Sequence, residues 1–111
     1  MARRVVWSSA ANADLDDIDA YISARSPLGA QRMLEGLSEV AGTLGDFPLA
    51  ARMVPELADT LRRETFVYEY RIIYRVEGDC VRILRVVHGR RLLKNIPGSF
   101  EEMAQEAYQA A

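Results

Sequence analysis

Arginine and a single histidine are the residues of this chain whose types and spacing suit chemistry. Nine of them fall within residues 61–91: Arg62, Arg63, Arg71, Arg75, Arg82, Arg85, His88, Arg90 and Arg91. A guanidinium fork binds phosphate or carboxylate bidentately, and an imidazole can serve as a general acid or base. Strand ends and turns favour functional placement, which singles out Arg75, Arg85 and the ending His88-Gly89-Arg90-Arg91. Arg62, Arg63 and Arg82 read instead as a solvated sheet face paired with Glu64, Glu69 and Glu77. His88 has two readings, a catalytic imidazole or one bonded to backbone at a strand end, and the second weighs at least as much as the first. Tyr68, Tyr70 and Tyr74 could stack on bases, but packing within a sheet is the favoured reading, and Trp7 reads as core.

Conventional catalytic arrangements are missing from the sequence. One His and one Cys cannot build a Cys/His zinc site. There is no phosphate-cradling glycine loop, since Gly89 and Gly98 stand alone. Cys80 and His88, eight residues apart on one strand, are separated by roughly 26 Å. Asp14, Asp16 and Asp17 lack metal-loop spacing and read as a solvated helix face. No metal and no cofactor is expected.

The charge is segregated along the chain. The formal net charge is −2, yet residues 61–94 carry nine basic against four acidic side chains, while residues 1–60 carry five against nine. The overall acidity therefore does not exclude a nucleic-acid or ribosomal partner. With 111 residues, half of them hydrophobic, the chain has the size and composition of one globular domain. No apolar run approaches the roughly 20 residues that span a bilayer, and no membrane association is expected. The lone Cys80 allows no internal disulfide, which fits a reducing cytoplasm.

Periodicity supplies the elements that must position these side chains. Residues 3–7 read as a short strand, with Ser8 or Ser9 as the cap of a helix. Ala11, Leu15, Ile18 and Ile22 share one helical face, and Asp14, Asp16 and Asp17 lie toward the favourable end of its dipole. Ser26-Pro27 breaks and restarts the helix, so the two helices form an antiparallel hairpin. Beyond a loop through Pro48 and Pro55, Tyr68, Tyr70, Ile72, Tyr74 and Val76 alternate with Glu69, Arg71, Ile73, Arg75 and Glu77. This period of two predicts a strand, with Arg71 and Arg75 on one face. Gly78-Asp79 is a hairpin turn. Residues 80–88 are apolar on both parities, as in a strand covered on both sides, with Arg85 expected on the face of Val81, Ile83 and Val87. After Lys94-Asn95-Ile96-Pro97-Gly98, residues 99–109 predict a last helix with Phe100, Met103, Ala104, Ala107 and Tyr108 on one face. The fold class is α+β, in the order β-αα-βββ with an additional C-terminal helix: a helical hairpin on a small, mostly antiparallel sheet.

Three segments carry a family resemblance. They are Val6-Trp7-Ser8 followed by Ala10, Asp14-Leu15, Ile18 and Tyr21-Ile22; the loop Arg52-Met53-Val54-Pro55-Glu56-Leu57; and YRIIYRV (70–76), a Gly-Asp turn and VRILRVVHGRR (81–91). In this order, spanning residues 5 to 91, they resemble the ParE/RelE superfamily of toxins from bacterial toxin–antitoxin systems. The resemblance implies a toxin domain over residues 1–98, with 99–111 as a helical extension longer than the usual ParE tail. RelE-like members cut mRNA on the ribosome with several basic residues and commonly a tyrosine shortly after the last arginine. Here no tyrosine follows Arg91 until Tyr108. Under that reading His88 would do acid–base work, with Arg75, Arg85, Arg90 or Arg91 on the phosphate. The Pro-Glu-Leu loop and the His-Gly-Arg-Arg ending are more similar to ParE, whose members bind DNA gyrase and trap its cleaved-DNA complex without chemistry of their own. By resemblance, Arg71, Arg75, Arg85, His88, Arg90 and Arg91 would then contact gyrase or a cognate antitoxin, in a hetero-oligomer. A member that has lost toxicity and acts as a binding module is the third reading.

Overall fold

The computed structural model describes residues 2–57 and 59–91. Strand β1 (Arg4–Trp7) leads into helices α1 (Ser9–Ser23) and α2 (Pro27–Thr43), then a 3-10 turn (Pro48–Ala50) and a two-residue strand β2 (Arg52–Met53). Strands β3 (Arg62–Val67), β4 (Tyr70–Glu77) and β5 (Cys80–His88) follow. The five strands lie in the order β1-β5-β4-β3-β2. β1 runs parallel to β5 and every other pairing is antiparallel. The α+β class and the β-αα-βββ order are as expected, with β2 an edge strand that its two residues do not announce.

Local chemistry explains the helix starts. Ser8, not Ser9, caps α1: its Oγ accepts from the Ala11 N–H at 3.0 Å and donates to the Leu84 carbonyl at 2.9 Å. One hydroxyl thus starts the helix and ties it to β5. Ser26 caps α2 by accepting from the Gly29 N–H, with Pro27 in the first helical position. The first turn of α1 contains no acidic residue, so the aspartates sit beyond the reach of the dipole, which fades within one turn.

The sheet is covered on both faces. Toward the helices, Ala11, Ile18, Leu37, Ala41 and Leu44 pack on Val67, Tyr70, Ile72, Tyr74, Val76, Val81, Ile83 and Val86, with Trp7 half-buried beside them. On the reverse face, Val54 and Leu57 of the loop before β3 close over Ile73, Leu84 and Val87. This double cover accounts for the apolar residues on both parities of β5.

Two departures from strict alternation matter. The β4–β5 register passes from Ile73↔Arg85 to Tyr74↔Ile83, leaving Leu84 as the extra residue of a bulge. Val81 and Ile83 therefore face the helices while Val87 faces away, so the expected common face with Arg85 does not exist. Tyr68 is not a strand residue: with φ +53° it forms the β3–β4 turn, and it is 73% exposed. Gly78, also at φ +53°, serves the β4–β5 turn as expected. Gly45 is fixed by close approach, because a Cβ there would lie 2.0 Å from the Arg3 carbonyl oxygen. The helix expected at 99–109, and the extension 99–111 as a whole, lie outside the described residues. Among the described residues, no helix is long and apolar enough to cross a membrane.

Candidate functional site

A groove of about 570 Å³ opens where β5 outruns β1 and α1 crosses it. Asp14, Asp17, Ile18 and Tyr21 of α1 form one wall; Arg85, Val86, Val87 and His88 of β5, Tyr70 of β4 and Arg91 form the rest.

The wall is pinned by Asp14. This aspartate is buried, and its carboxylate accepts from Arg85 Nε at 2.7 Å, Arg85 Nη2 at 2.8 Å and the Val86 N–H at 2.9 Å. It meets β5 just past the end of β1, where a strand edge would otherwise present an open N–H. Reading Asp14 as a solvated residue is therefore incorrect, and the reason lies 71 residues away at Arg85. Its position inside the stripe Ala11–Leu15–Ile18 was a signal available in the sequence.

His88 ends β5 at the groove. Its ring meets Tyr70 edge-on, with centroids 5.7 Å apart and planes at 72°. Nδ1 accepts from the Arg90 N–H at 3.3 Å, which leaves the proton of the neutral ring on Nε2. The Gly89 N–H donates to the Glu69 carbonyl and the Arg91 N–H to the His88 carbonyl, so residues 88–91 form a tied turn. Burial pushes the Tyr70 phenol above its usual range, with the negative charge of Glu69 and then Tyr21 adding to the effect. Tyr70 is therefore a neutral hydroxyl at physiological pH.

The expected site residues separate into two groups. Arg85, His88 and Arg91 line the groove, with Arg90 exposed on the adjoining turn. Arg71 and Arg75 share one face of β4, as expected, but it is the reverse face, remote from α1. Arg71 is 4% exposed and bonded to Glu56 and Glu64, so its guanidinium is engaged within the domain rather than presented at the surface. Arg75 is half-buried, 3.4 Å from Glu77. Of the arginines read as solvated, Arg82 pairs with Glu77 as expected. Arg62 is instead buried and ion-paired with Asp59, and Arg63 donates to the Thr60, Leu49 and Ala51 carbonyls. The local positive excess is thus offset in space by Asp14, Glu56 and Asp59 from the acidic first half. Tyr21 and Asp17 are groove residues that sequence reasoning missed, because the helical stripe marks what packs and not what borders an opening. No group of three or more His, Cys, Asp or Glu suited to a metal occurs among the described residues.

Comparison with known proteins matches residues 5–93 to the family of the ParE toxin of the type II toxin–antitoxin system ParDE. The chain is 40% identical over 89 residues to Toxin RelE2 of Caulobacter vibrioides, covering 80% of this chain and 98% of that protein. Among solved structures, it superposes on a chain from the chromosomal ParDE toxin–antitoxin system of P. aeruginosa with a TM-score of 0.65. That match covers 78% of this chain and 96% of the other at 22% identity, so it speaks for the fold.

Proposed function

The chain belongs to the ParE toxin family of type II toxin–antitoxin systems, and from that premise we propose that it arrests growth by binding DNA gyrase and trapping its cleaved-DNA complex, until a cognate antitoxin covers it. The observation that carries this reading is how the arginines are engaged. Of the four arginines that could stabilise phosphate in a nuclease, Arg75, Arg85, Arg90 and Arg91, Arg85 is held bidentately by Asp14 and Arg75 lies beside Glu77. A phosphate would have to displace a preorganised carboxylate from Arg85, losing charge-assisted hydrogen bonds of about 1.5–3 kcal/mol each. The groove suits protein recognition better, with an apolar floor (Ile18, Val86), aromatic edges (Tyr21, Tyr70) and a charged rim ending in Arg91.

A second reading keeps one specific support. The Caulobacter relative is named RelE2, and His88 and Arg91 share the groove. In ribosome-dependent mRNA cleavage His88 would act as general acid or base, with Arg90 and Arg91 on the phosphate. Expression without antitoxin separates the two. The gyrase reading expects accumulation of gyrase–DNA cleavage complexes and a DNA-damage response. Transcripts cut at codon boundaries on ribosomes, with supercoiling normal, would replace it by the nuclease reading.

A further inference from the structure

Two of the segments that carry the family resemblance meet at one guanidinium. Arg71 Nη1 donates to Glu64 Oε1 at 2.9 Å and Glu56 Oε1 at 3.0 Å. Its Nη2 donates to Glu56 Oε2 at 2.7 Å and to the Arg91 carbonyl oxygen at 3.1 Å. Glu64, itself buried, also accepts from Arg52 Nε at 2.9 Å. One side chain therefore joins the Pro55-Glu56-Leu57 loop, strand β3 and the turn that follows β5. The hydrogen bond to Glu56 raises the Arg71 pKa against the burial that would lower it, so the charge is retained.

The bond to Arg91 links a residue of the reverse face to one that borders the groove. Arg71 lies on the reverse face, whereas Arg91 is one of the residues that line the groove, and the Arg91 N–H is bonded to the His88 carbonyl. Gly89, between them, has no room for a side chain without a shift, since a Cβ would stand 3.1 Å from both the Glu69 carbonyl oxygen and Phe66 Cε1. The turn is thus enclosed by neighbours, and its last peptide is held by Arg71.

We propose that Arg71 is a positioning residue, oriented by Glu56, which sets the turn 89–91 from behind the sheet and so presents His88 and Arg91 to the groove. This rests on the groove being the surface that engages gyrase or antitoxin. Lysine cannot take the role, because an ammonium has no planar fork that grips a carboxylate while a second nitrogen reaches a carbonyl.

The test uses the full chain with Arg71→Lys and Glu56→Gln, and Glu39→Gly as control. Glu39 is an exposed residue of α2 outside the groove, and glycine there lowers stability through helix propensity alone. Amide exchange at Gly89 and Arg91, antitoxin affinity and stimulation of gyrase cleavage complexes are measured well below each melting temperature. Arg71→Lys should speed exchange at Gly89 and Arg91 by about tenfold relative to Val81 in the same strand. It should also weaken binding by about tenfold beyond any loss in the control, with Glu56→Gln smaller in the same direction. Wild-type exchange at the turn, or a functional loss no greater than that of Glu39→Gly, overturns the proposal. His88→Ala and Arg91→Ala distinguish the two levels. If both poison cells and bind antitoxin normally, the groove reading falls and the positioning role with it; if both are inactive while Arg71→Lys is fully active, the positioning role alone is wrong.

Discussion

Asparagine in place of Asp14 removes one charge and half the acceptor capacity of a buried carboxylate. Three donors converge on it, two from Arg85 and one from the Val86 N–H. The amide can accept through one oxygen only, and its NH₂ must face either the guanidinium or the backbone N–H. Removing one partner of a buried pair destabilises by about 3–5 kcal/mol. The side chains here are 14% and 11% exposed, and solvent screening at that exposure places the effect at the low end, about 3 kcal/mol. At about 4 °C per kcal/mol for a domain of this size, the melting temperature should fall by about 12 °C. A double-mutant cycle with Arg85→Met should show coupling of about 2 kcal/mol, because the double variant leaves no orphaned charge. Thermal and denaturant unfolding at neutral pH supply all four values. Repeating them in 1 M salt should leave most of the difference, since screening acts chiefly on exposed pairs. A loss below about 1 kcal/mol, or an additive cycle, would mean that the contact behaves as an ordinary surface bridge and does not pin the groove.

Gly45→Ala should destabilise by about 1–3 kcal/mol or more in thermal unfolding, because its Cβ would collide with the Arg3 carbonyl oxygen 2.0 Å away and push β1 from its anchor; an unchanged melting temperature would show that the contact relaxes freely. Tyr74→Phe should lose about 1–3 kcal/mol by orphaning the Pro48 carbonyl that the buried hydroxyl bonds. Burial raises the Tyr74 pKa, and likewise that of Tyr70. A raised folded-state pKa gives stability that is fully present below the unfolded value of about 10 and is lost as pH rises through the folded value. Alkaline unfolding should therefore be shallower in Tyr74→Phe than in wild type, and an identical pH profile would count against this. Arg90→Glu, on an exposed side chain, should leave stability within about 0.5 kcal/mol. It should weaken antitoxin binding more at low salt than at high salt, and calorimetric titration at two ionic strengths would expose a salt-independent effect. Arg85→Glu is a poor probe of the same question, because it breaks the bond to Asp14.

What the sequence discloses is what local periodicity and chain stiffness determine. The cap at Ser8 or Ser9, the break at Ser26-Pro27 and the turn at Gly78-Asp79 follow from residue type within a few positions. Leu84 as a bulge does not, because a bulge is a property of two strands in register. Tyr68 continued the alternation of aromatic residues, and only the two-residue connection to β3 forces it into positive φ. The surroundings of the arginines are the least legible feature of the sequence. An alternating Arg reads alike on a wet face and a buried one, and what decides is whether a carboxylate arrives from elsewhere: Glu56 for Arg71, Asp59 for Arg62, Asp14 for Arg85. His88 and the ending Gly89-Arg90-Arg91 were placed correctly at the end of the last described strand, since strand ends do follow from pattern.

The parallel pairing of β1 with β5, Arg4 beside Cys80, has a consequence in time. Every other strand pair joins neighbours in sequence, and the helical hairpin is local. The β1–β5 pair alone must close a loop of more than seventy residues, the kind of non-local contact that slows folding. At a synthesis rate of about 5–20 residues per second, the 45 residues between the end of α2 and the end of β5 take about 2–9 s to add. During that interval the α1 segment has no Arg85 for Asp14 to meet, and the β1 segment has no β5 to pair with. The groove, whose two walls come from opposite ends of the described chain, is the last surface that the growing polypeptide can complete.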